Sequence, residues 1–72
     1  MTKSQEIGNR IRTLRKRMGI TQMELAARTD LNNEMISRYE RGKYLPSVIG
    51  MVRIAEELYT TVEYLVTGEE DP

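Results

Sequence analysis

The 72-residue sequence contains no cysteine, histidine, tryptophan or phenylalanine. Without cysteine the chain can form neither a disulfide nor a thiolate zinc site, and such a composition fits a reducing cytoplasm. Without histidine, imidazole general-base catalysis and histidine-bearing zinc sites are excluded. An enzyme would need a carboxylate pair in a cleft, which a domain this small rarely encloses. We therefore expect a non-enzymatic protein that has no metal and no other cofactor.

Long hydrophobic runs are also absent. No segment approaches the ~20 consecutive apolar residues of a membrane span, and the first residues lack the apolar run of a signal peptide. A chain of this length makes one small domain, which buries only about 60% of the surface of the unfolded chain. The sequence predicts a cytoplasmic protein with no membrane contact.

The net charge is zero, with 11 basic and 11 acidic residues, but the two signs are segregated along the chain. Residues 1–43 hold ten Lys/Arg and five Asp/Glu, whereas residues 44–72 hold one Arg and six acidic residues. A domain with one basic half has the electrostatic footprint of a nucleic-acid-binding protein. The alternative is that the charges only cover solvated faces of the helices.

Apolar residues recur at the spacing of amphipathic helices along most of the chain. In the first helix they are Ile7, Ile11, Leu14 and Met18, and Gly19 is placed to end that helix with a positive φ. In the fourth helix the inward residues are predicted to be Val48, Met51, Ile54, Ala55 and Leu58. The pattern predicts helices at residues ~5–18, 22–28, 33–41, 48–58 and 62–67, followed by an acidic solvated tail at residues 69–72.

Residues 21–42 form the central motif, with two short helices joined by a tight turn. Thr21 and Glu24 have the spacing of a capping box, and Asn32 is a favourable N-cap for the next helix. Helices this short are marginal when isolated, so the rest of the chain must pack behind them. One face of the second helix is left exposed, which is the construction of a helix-turn-helix.

The segments TQMELAART, EMISRYERG and KYLPS, with Ile54, Ala55, Leu58 and Leu65 after them, resemble the Cro/repressor-type helix-turn-helix family of bacterial and phage transcription regulators. The resemblance covers roughly residues 6–68. It implies an all-α, five-helix fold of the lambda-repressor-like type, with residues 1–68 as the DNA-binding domain. It also implies that the third helix enters the major groove of an operator.

The family's DNA-contacting positions can be transferred to this sequence. The base-reading positions match Asn33, Glu34, Ser37 and Arg38. The first helical residue after Thr21, which contacts phosphate in the family, matches Gln22, and further phosphate-binding candidates surround the third helix: Asn32, Arg41, Lys43, Tyr44 and, on the first helix, Arg10.

Several of these residues have two interpretations. Arg38 can bond guanine O6 and N7 together, or serve as a surface cation or phosphate contact. Asn33 either reads adenine or supports its own helix cap. Glu34 either accepts a bond from cytosine N4 or is placed by the dipole at the helix N-terminus. Tyr44 either binds phosphate or packs in the core.

The resemblance also implies two structural features. An ion pair between Arg15 and Glu40 would tie the first helix to the third. A homodimer contact would involve Tyr59, Val62, Tyr64 and Val66, although these side chains could equally close the core of the monomer. Family members usually have Gly where this chain has Asp30 in the turn. They often have Gly where Tyr59 stands and an aliphatic residue where Thr60 stands, and these two departures leave open how the fourth helix ends.

These observations favour a repressor-type transcription regulator that binds a palindromic double-stranded DNA operator as a dimer. The alternative is an antitoxin or adaptor of the same fold, which binds a protein partner such as a toxin or anti-repressor and contacts DNA weakly.

Overall fold

The computed structural model describes residues 1–69, and this range forms five α-helices without strands. They are α1 (Lys3–Arg17), α2 (Gln22–Thr29), α3 (Asn33–Glu40), α4 (Val48–Glu57) and α5 (Val62–Thr67). The predicted all-α, five-helix class is confirmed, and each predicted helix boundary lies within two residues of the observed one. The predicted acidic tail lies outside the described residues from residue 70 onward. In the described range, none of the helices has the length and apolarity that crossing a membrane requires.

The first helix begins two residues earlier than predicted because it has its own capping box. The Thr2 hydroxyl accepts a hydrogen bond from the Gln5 backbone N–H at 3.1 Å, and the Gln5 side chain accepts one from the Thr2 N–H at 2.9 Å. These bonds satisfy two N–H groups that a helix start leaves without partners. At the other end of α1, Gly19 has φ +71°, as its placement predicted.

The helix-turn-helix of α2 and α3 is fixed at both starts and at the turn. Glu24 N–H donates to the Thr21 hydroxyl at 3.0 Å, and the Glu24 carboxylate accepts from the Thr21 N–H at 2.9 Å. The Asn32 side-chain oxygen accepts from the Met35 N–H at 2.8 Å and caps α3. Between the helices, Asp30 takes the left-handed conformation with φ +59°, in which Asp is among the better tolerated non-glycine residues.

Each helix contributes one aliphatic side chain with no solvent exposure at all. These five side chains form the centre of the core: Ile11, Leu25, Ile36, Ile54 and Leu65. Fully burying one aliphatic side chain of this size stabilises a fold by about 1.5–3 kcal/mol. Because every helix supplies one, all five helices pack around a shared core, and α3 is seated on it through Ile36.

The crossing of α1 and α3 requires a glycine. A β-carbon added at Gly8 would lie 2.2 Å from the Tyr39 carbonyl oxygen and 2.8 Å from the Glu40 carbonyl oxygen. The backbones of the two helices therefore approach more closely than any other residue would allow at position 8.

Helix α4 ends in a Schellman motif with a tyrosine in the position that glycine usually takes. Tyr59 has φ +56°, the Thr60 N–H donates to the Ala55 carbonyl at 2.9 Å, and the Tyr59 N–H donates to the Glu56 carbonyl at 3.2 Å. The question that the sequence left open is thus answered: the left-handed residue is retained without glycine. The Tyr59 side chain is 87% exposed.

Candidate nucleic-acid interface

The exposed face of α3 presents the four side chains predicted to read bases. Asn33 and Glu34 are exposed in the first turn, while Ser37 and Arg38 are half-buried one turn later. Residues spaced in this way lie on one side of a helix. The other side is buried through Ile36 and Tyr39, so the polar residues are held facing solvent. Met35, on the same helix, is half-buried against the core.

Arg38 is held by two neighbours. Its Nη2 donates to a Glu34 carboxylate oxygen one turn earlier on α3. Its guanidinium carbon lies 5.5 Å from the centroid of the Tyr44 ring, in the loop after the helix, at a distance typical of a cation–π contact. The Tyr44 side chain is 56% exposed, so the interpretation of this residue as part of the core is wrong.

Four predicted DNA-contacting residues surround one shallow surface depression of 320 Å³. They are Arg38, Arg41, Lys43 and Tyr44. Three of the four are cations, and the depression lies at the C-terminal end of α3. An open, positively charged site of this kind suits a phosphate group.

A second depression, of 520 Å³, shares Arg38 and Tyr44 with the first. It is more apolar and is lined by Leu31, Met35, Arg38, Tyr39, Tyr44, Leu45 and Ser47. Sequence reasoning missed this groove because it forms between α3 and a loop whose path no local pattern defines. The only available signal was the apolar character of Leu45, which is 54% exposed.

The structure brings Arg15 and Glu40 together in a buried ion pair. Arg15 Nε and Nη2 donate to the two Glu40 carboxylate oxygens at 2.7 and 3.0 Å, and Arg15 Nη1 donates to the Ile20 carbonyl at 2.9 Å. Only 10% of the Arg15 side chain and 2% of the Glu40 side chain are exposed. The hydrogen bond to Glu40 raises the pKa of Arg15 above its ordinary value, against the opposing effect of burial.

Gln22 joins this buried pair. Its side-chain Nε2 donates to the Glu40 carboxylate at 3.1 Å. The side chain is therefore directed inward, while its backbone N–H belongs to the first turn of α2, where N–H groups have no partner within the helix. The network thereby fixes the start of α2 relative to α3. Any phosphate contact at Gln22 would use the backbone rather than the amide.

Arg10, proposed from the sequence as a phosphate contact, is occupied elsewhere. Its Nη1 donates to the carbonyls of Leu65 and Val66 at 2.9 and 3.2 Å, and its Nη2 approaches the Glu6 carboxylate at 3.5 Å. Lys3 donates to the same Val66 carbonyl at 3.2 Å. These two cations satisfy the C-terminal carbonyls of α5 and complement the helix dipole. The structure thus gives Arg10 a role in joining α1 to α5.

The predicted dimer residues divide into two groups. Tyr59 and Val62 are exposed, whereas Tyr64 and Val66 are half-buried against the core. Helix α4 adds exposed apolar side chains that the sequence pattern did not predict. Val48, expected to face inward, is 80% exposed, and Ile49 and Val52 are exposed beside it.

Comparison with known proteins agrees with this architecture. The profile of the helix-turn-helix family matches residues 11–65, from α1 into α5. The HTH-type transcriptional regulator y4dJ of Sinorhizobium fredii is 32% identical over 65 residues, which are 90% of this chain and 84% of that protein. The immunity repressor of Bacillus phage phi105 is 34% identical over 64 residues, 89% of this chain but only 44% of the repressor.

A solved structure of the P22 c2 repressor, in complex with synthetic operator 9T, has the same fold. The two chains superpose with a TM-score of 0.87 and are 31% identical in sequence. The superposition covers 90% of this chain and 98% of the repressor chain. The chain therefore belongs to the helix-turn-helix family of transcription regulators. The predicted family is confirmed, and the names of these relatives are those of regulators and repressors rather than of enzymes.

Proposed function

We propose that the chain binds double-stranded DNA sequence-specifically and represses transcription in the cytoplasm, with residues 1–68 as its DNA-binding domain. The observation that carries this proposal is the exposed polar face of α3 beside a depression lined by three cations. Side chains on such a face can reach base edges in the major groove while the cations contact phosphates. The operator complex of the P22 c2 repressor, which shares the fold, supports the same arrangement here.

The proposed roles follow from where each side chain lies. Arg38 reads guanine through two parallel hydrogen bonds, a contact worth about 1–3 kcal/mol of discrimination between bases. Asn33 and Ser37 lie beside it on α3 and approach neighbouring base edges. The phosphate contacts come from the backbone at the start of α2 and from side chains around the ends of α3: Gln22, Asn32, Arg41, Lys43 and Tyr44.

We further propose that the chain binds a palindromic operator as a homodimer, with half-sites about 34–36 Å apart. The exposed side chains of Tyr59 and Val62 would form the contact between subunits, with Tyr64 and Val66 packed behind them.

Val62→Lys would place a charge in this contact and shift the protein to the monomer at micromolar concentration. Val48→Lys is the matched control, since it changes an equally apolar but separate side chain. Sedimentation equilibrium of the two variants distinguishes them, and a dimer unaffected by Val62→Lys would place the contact elsewhere.

The DNA-binding proposal is tested by selecting sites from a randomised duplex pool and titrating the enriched site at several salt concentrations. We expect one palindrome and an affinity that falls linearly with salt on logarithmic axes. Lys43→Ala should reduce the magnitude of that slope by about 1, while Arg38→Ala should flatten the preference at one base pair. Arg53→Ala is the control for loss of one charge, since Arg53 lies on α4, outside the proposed DNA-contacting residues. Because Arg53 Nη1 contacts the Thr29 carbonyl at 3.5 Å and the Asp30 carboxylate at 3.9 Å, circular dichroism checks that this variant retains the fold. A pool that yields no enriched sequence would contradict the proposal.

The exposed apolar residues Val48 and Ile49 favour a second candidate, a module that binds a protein partner such as a toxin or anti-repressor. Larger contiguous apolar patches commonly mark protein–protein contacts. In that case Val48→Lys would abolish partner binding, while Arg38→Ala would leave it intact. The two functions are compatible in an antitoxin that also represses transcription.

A further inference from the structure

We propose that Glu34 and Tyr44 act as positioning residues for Arg38, and that they set specificity at the base pair read by Arg38 without reading a base themselves. The inference deepens the proposed function and depends on Arg38 contacting DNA.

The geometry places the two neighbours on different parts of the guanidinium. Glu34 binds the Nη2 end through its carboxylate, and the Tyr44 ring lies 5.5 Å from the central carbon. One residue comes from the preceding turn of α3 and the other from the loop after it. A side chain held from two independent backbone segments has far fewer accessible rotamers than one held from a single segment.

This restriction matters because arginine is long and flexible. An unrestrained arginine loses much rotamer entropy when it binds, and pre-organising it in the bound orientation removes part of that penalty. Each contact adds little to the stability of the fold, since exposed ion pairs and exposed cation–π contacts are weak. Their effect is therefore expected in recognition rather than in folding.

The same geometry explains why Glu34 need not read cytosine. Its carboxylate already accepts from Arg38, and this partner offsets the repulsion that a bare carboxylate would meet beside phosphates. The guanidinium has five N–H donors, so one bond to Glu34 leaves enough for guanine O6 and N7. Glu34 can thus stay bonded to Arg38 while Arg38 reads a base.

Tyr44 allows two roles to be separated. Its ring faces Arg38, whereas its hydroxyl is the group that would donate to a phosphate. Tyr44→Phe keeps the ring and removes the hydroxyl, so it should weaken binding to all sequences equally. Tyr44→Leu removes the ring and should relax the preference at the base pair that Arg38 reads.

The test measures affinity for the selected operator and for a panel of single-base-pair variants of it. The proteins are the wild type, Arg38→Ala, Glu34→Gln, Tyr44→Leu, Tyr44→Phe and the two doubles that combine Arg38→Ala with Glu34→Gln or Tyr44→Leu. We expect Glu34→Gln and Tyr44→Leu each to lower discrimination about threefold to tenfold, at the same base pair that Arg38→Ala affects. In the Arg38→Ala background neither should have any further effect on discrimination.

Two outcomes would overturn the inference while leaving the proposed function intact. Glu34→Gln could alter the preference at a different base pair, or its effect could add fully to that of Arg38→Ala; either result would make Glu34 a base reader. An absence of operator selection by the wild type would instead remove the proposed function itself.

A second measurement needs no DNA. In the NMR spectrum of the wild type, the Arg38 side-chain protons should show a ring-current shift that Tyr44→Leu abolishes. A wild-type spectrum lacking that shift would contradict the contact between Arg38 and the Tyr44 ring.

Discussion

Gly8 of α1 faces the backbone of α3 so closely that a β-carbon at position 8 would lie 2.2 Å from the Tyr39 carbonyl oxygen. Gly8→Ala should therefore destabilise the domain by about 2 kcal/mol or more, because backbone cannot move aside as a flexible side chain can. This loss outweighs the gain of about 1 kcal/mol that alanine brings to a helix interior. Urea unfolding followed by circular dichroism measures the difference.

Gly50→Ala provides the matched control for that substitution. Gly50 is also buried in a helix, but a β-carbon there would meet the Ser47 side-chain oxygen at 3.2 Å and no backbone atom. We expect a change within about 1 kcal/mol, since helix propensity and slight crowding oppose each other. Equal losses from the two variants would show that the α1–α3 crossing is not closely packed at Gly8.

The buried pair of Arg15 and Glu40 gives a second prediction. Glu40→Met leaves the Arg15 cation buried without a counter-charge and should cost about 3–5 kcal/mol. Arg15→Met in the same background removes the isolated cation. The double variant should therefore lose less free energy of unfolding than the sum of the losses measured for the two single variants. Glu34→Gln, which breaks an exposed pair, should change stability by no more than about 0.5 kcal/mol. Additive losses in the double variant would contradict the coupling.

The left-handed conformation of Tyr59 predicts a stabilising substitution. A non-glycine residue in this region loses roughly 1–2 kcal/mol, and Tyr59→Gly should recover about 1 kcal/mol after the added flexibility of the unfolded chain is counted. The melting temperature should then rise by about 4–8 °C for a domain of this size. Asp30→Gly should gain less, because Asp tolerates the left-handed region better. Measurement at a concentration at which the protein is monomeric keeps subunit contacts out of the comparison.

The capping box at α2 predicts a dependence of stability on pH. Hydrogen bonds between Glu24 and Thr21, foremost that from the Thr21 backbone N–H, lower the pKa of Glu24 below its ordinary value of 4.5. The stability that this group contributes is therefore present above the pKa of Glu24 in the unfolded chain and is lost as the pH falls through its lower pKa in the folded state. Glu24→Gln retains the capping geometry but does not titrate. On acidification the melting temperature of the wild type should fall more than that of Glu24→Gln. If melting temperature plotted against pH gave parallel curves for the two proteins, titration of Glu24 would not contribute to stability.

Local signals in the sequence predicted much of the fold. The bounds of α5 were predicted without error because Thr61 starts the helix with a side-chain cap, and Gly68 stops it with φ +76°. The start of α1 was missed because the residues after Thr2 are polar, so that no apolar periodicity marks its first turn. Val48 was wrongly assigned to the core because helical spacing alone does not show how far a neighbouring helix extends.

The candidate site was less predictable wherever a contact joins distant parts of the chain. The Arg15–Glu40 pair was available only from the family resemblance, since no local pattern links residues 25 apart. The bonds of Arg10 to carbonyls at the end of α5 span 55 and 56 residues and gave no signal in the sequence. The contact between Arg38 and Tyr44 depends on the path of a loop, which residue types alone do not define.

The core built from one fully buried side chain per helix links thermal stability to gene control. Leu65 lies on α5, the last of the five helices, yet truncating it would lower the fraction of molecules in which α3 is correctly oriented. A Leu65→Ala protein would then leave more operators vacant as temperature rises, while retaining unchanged base preferences in the molecules that remain folded. Temperature-sensitive repression is therefore expected from substitutions that touch no nucleotide.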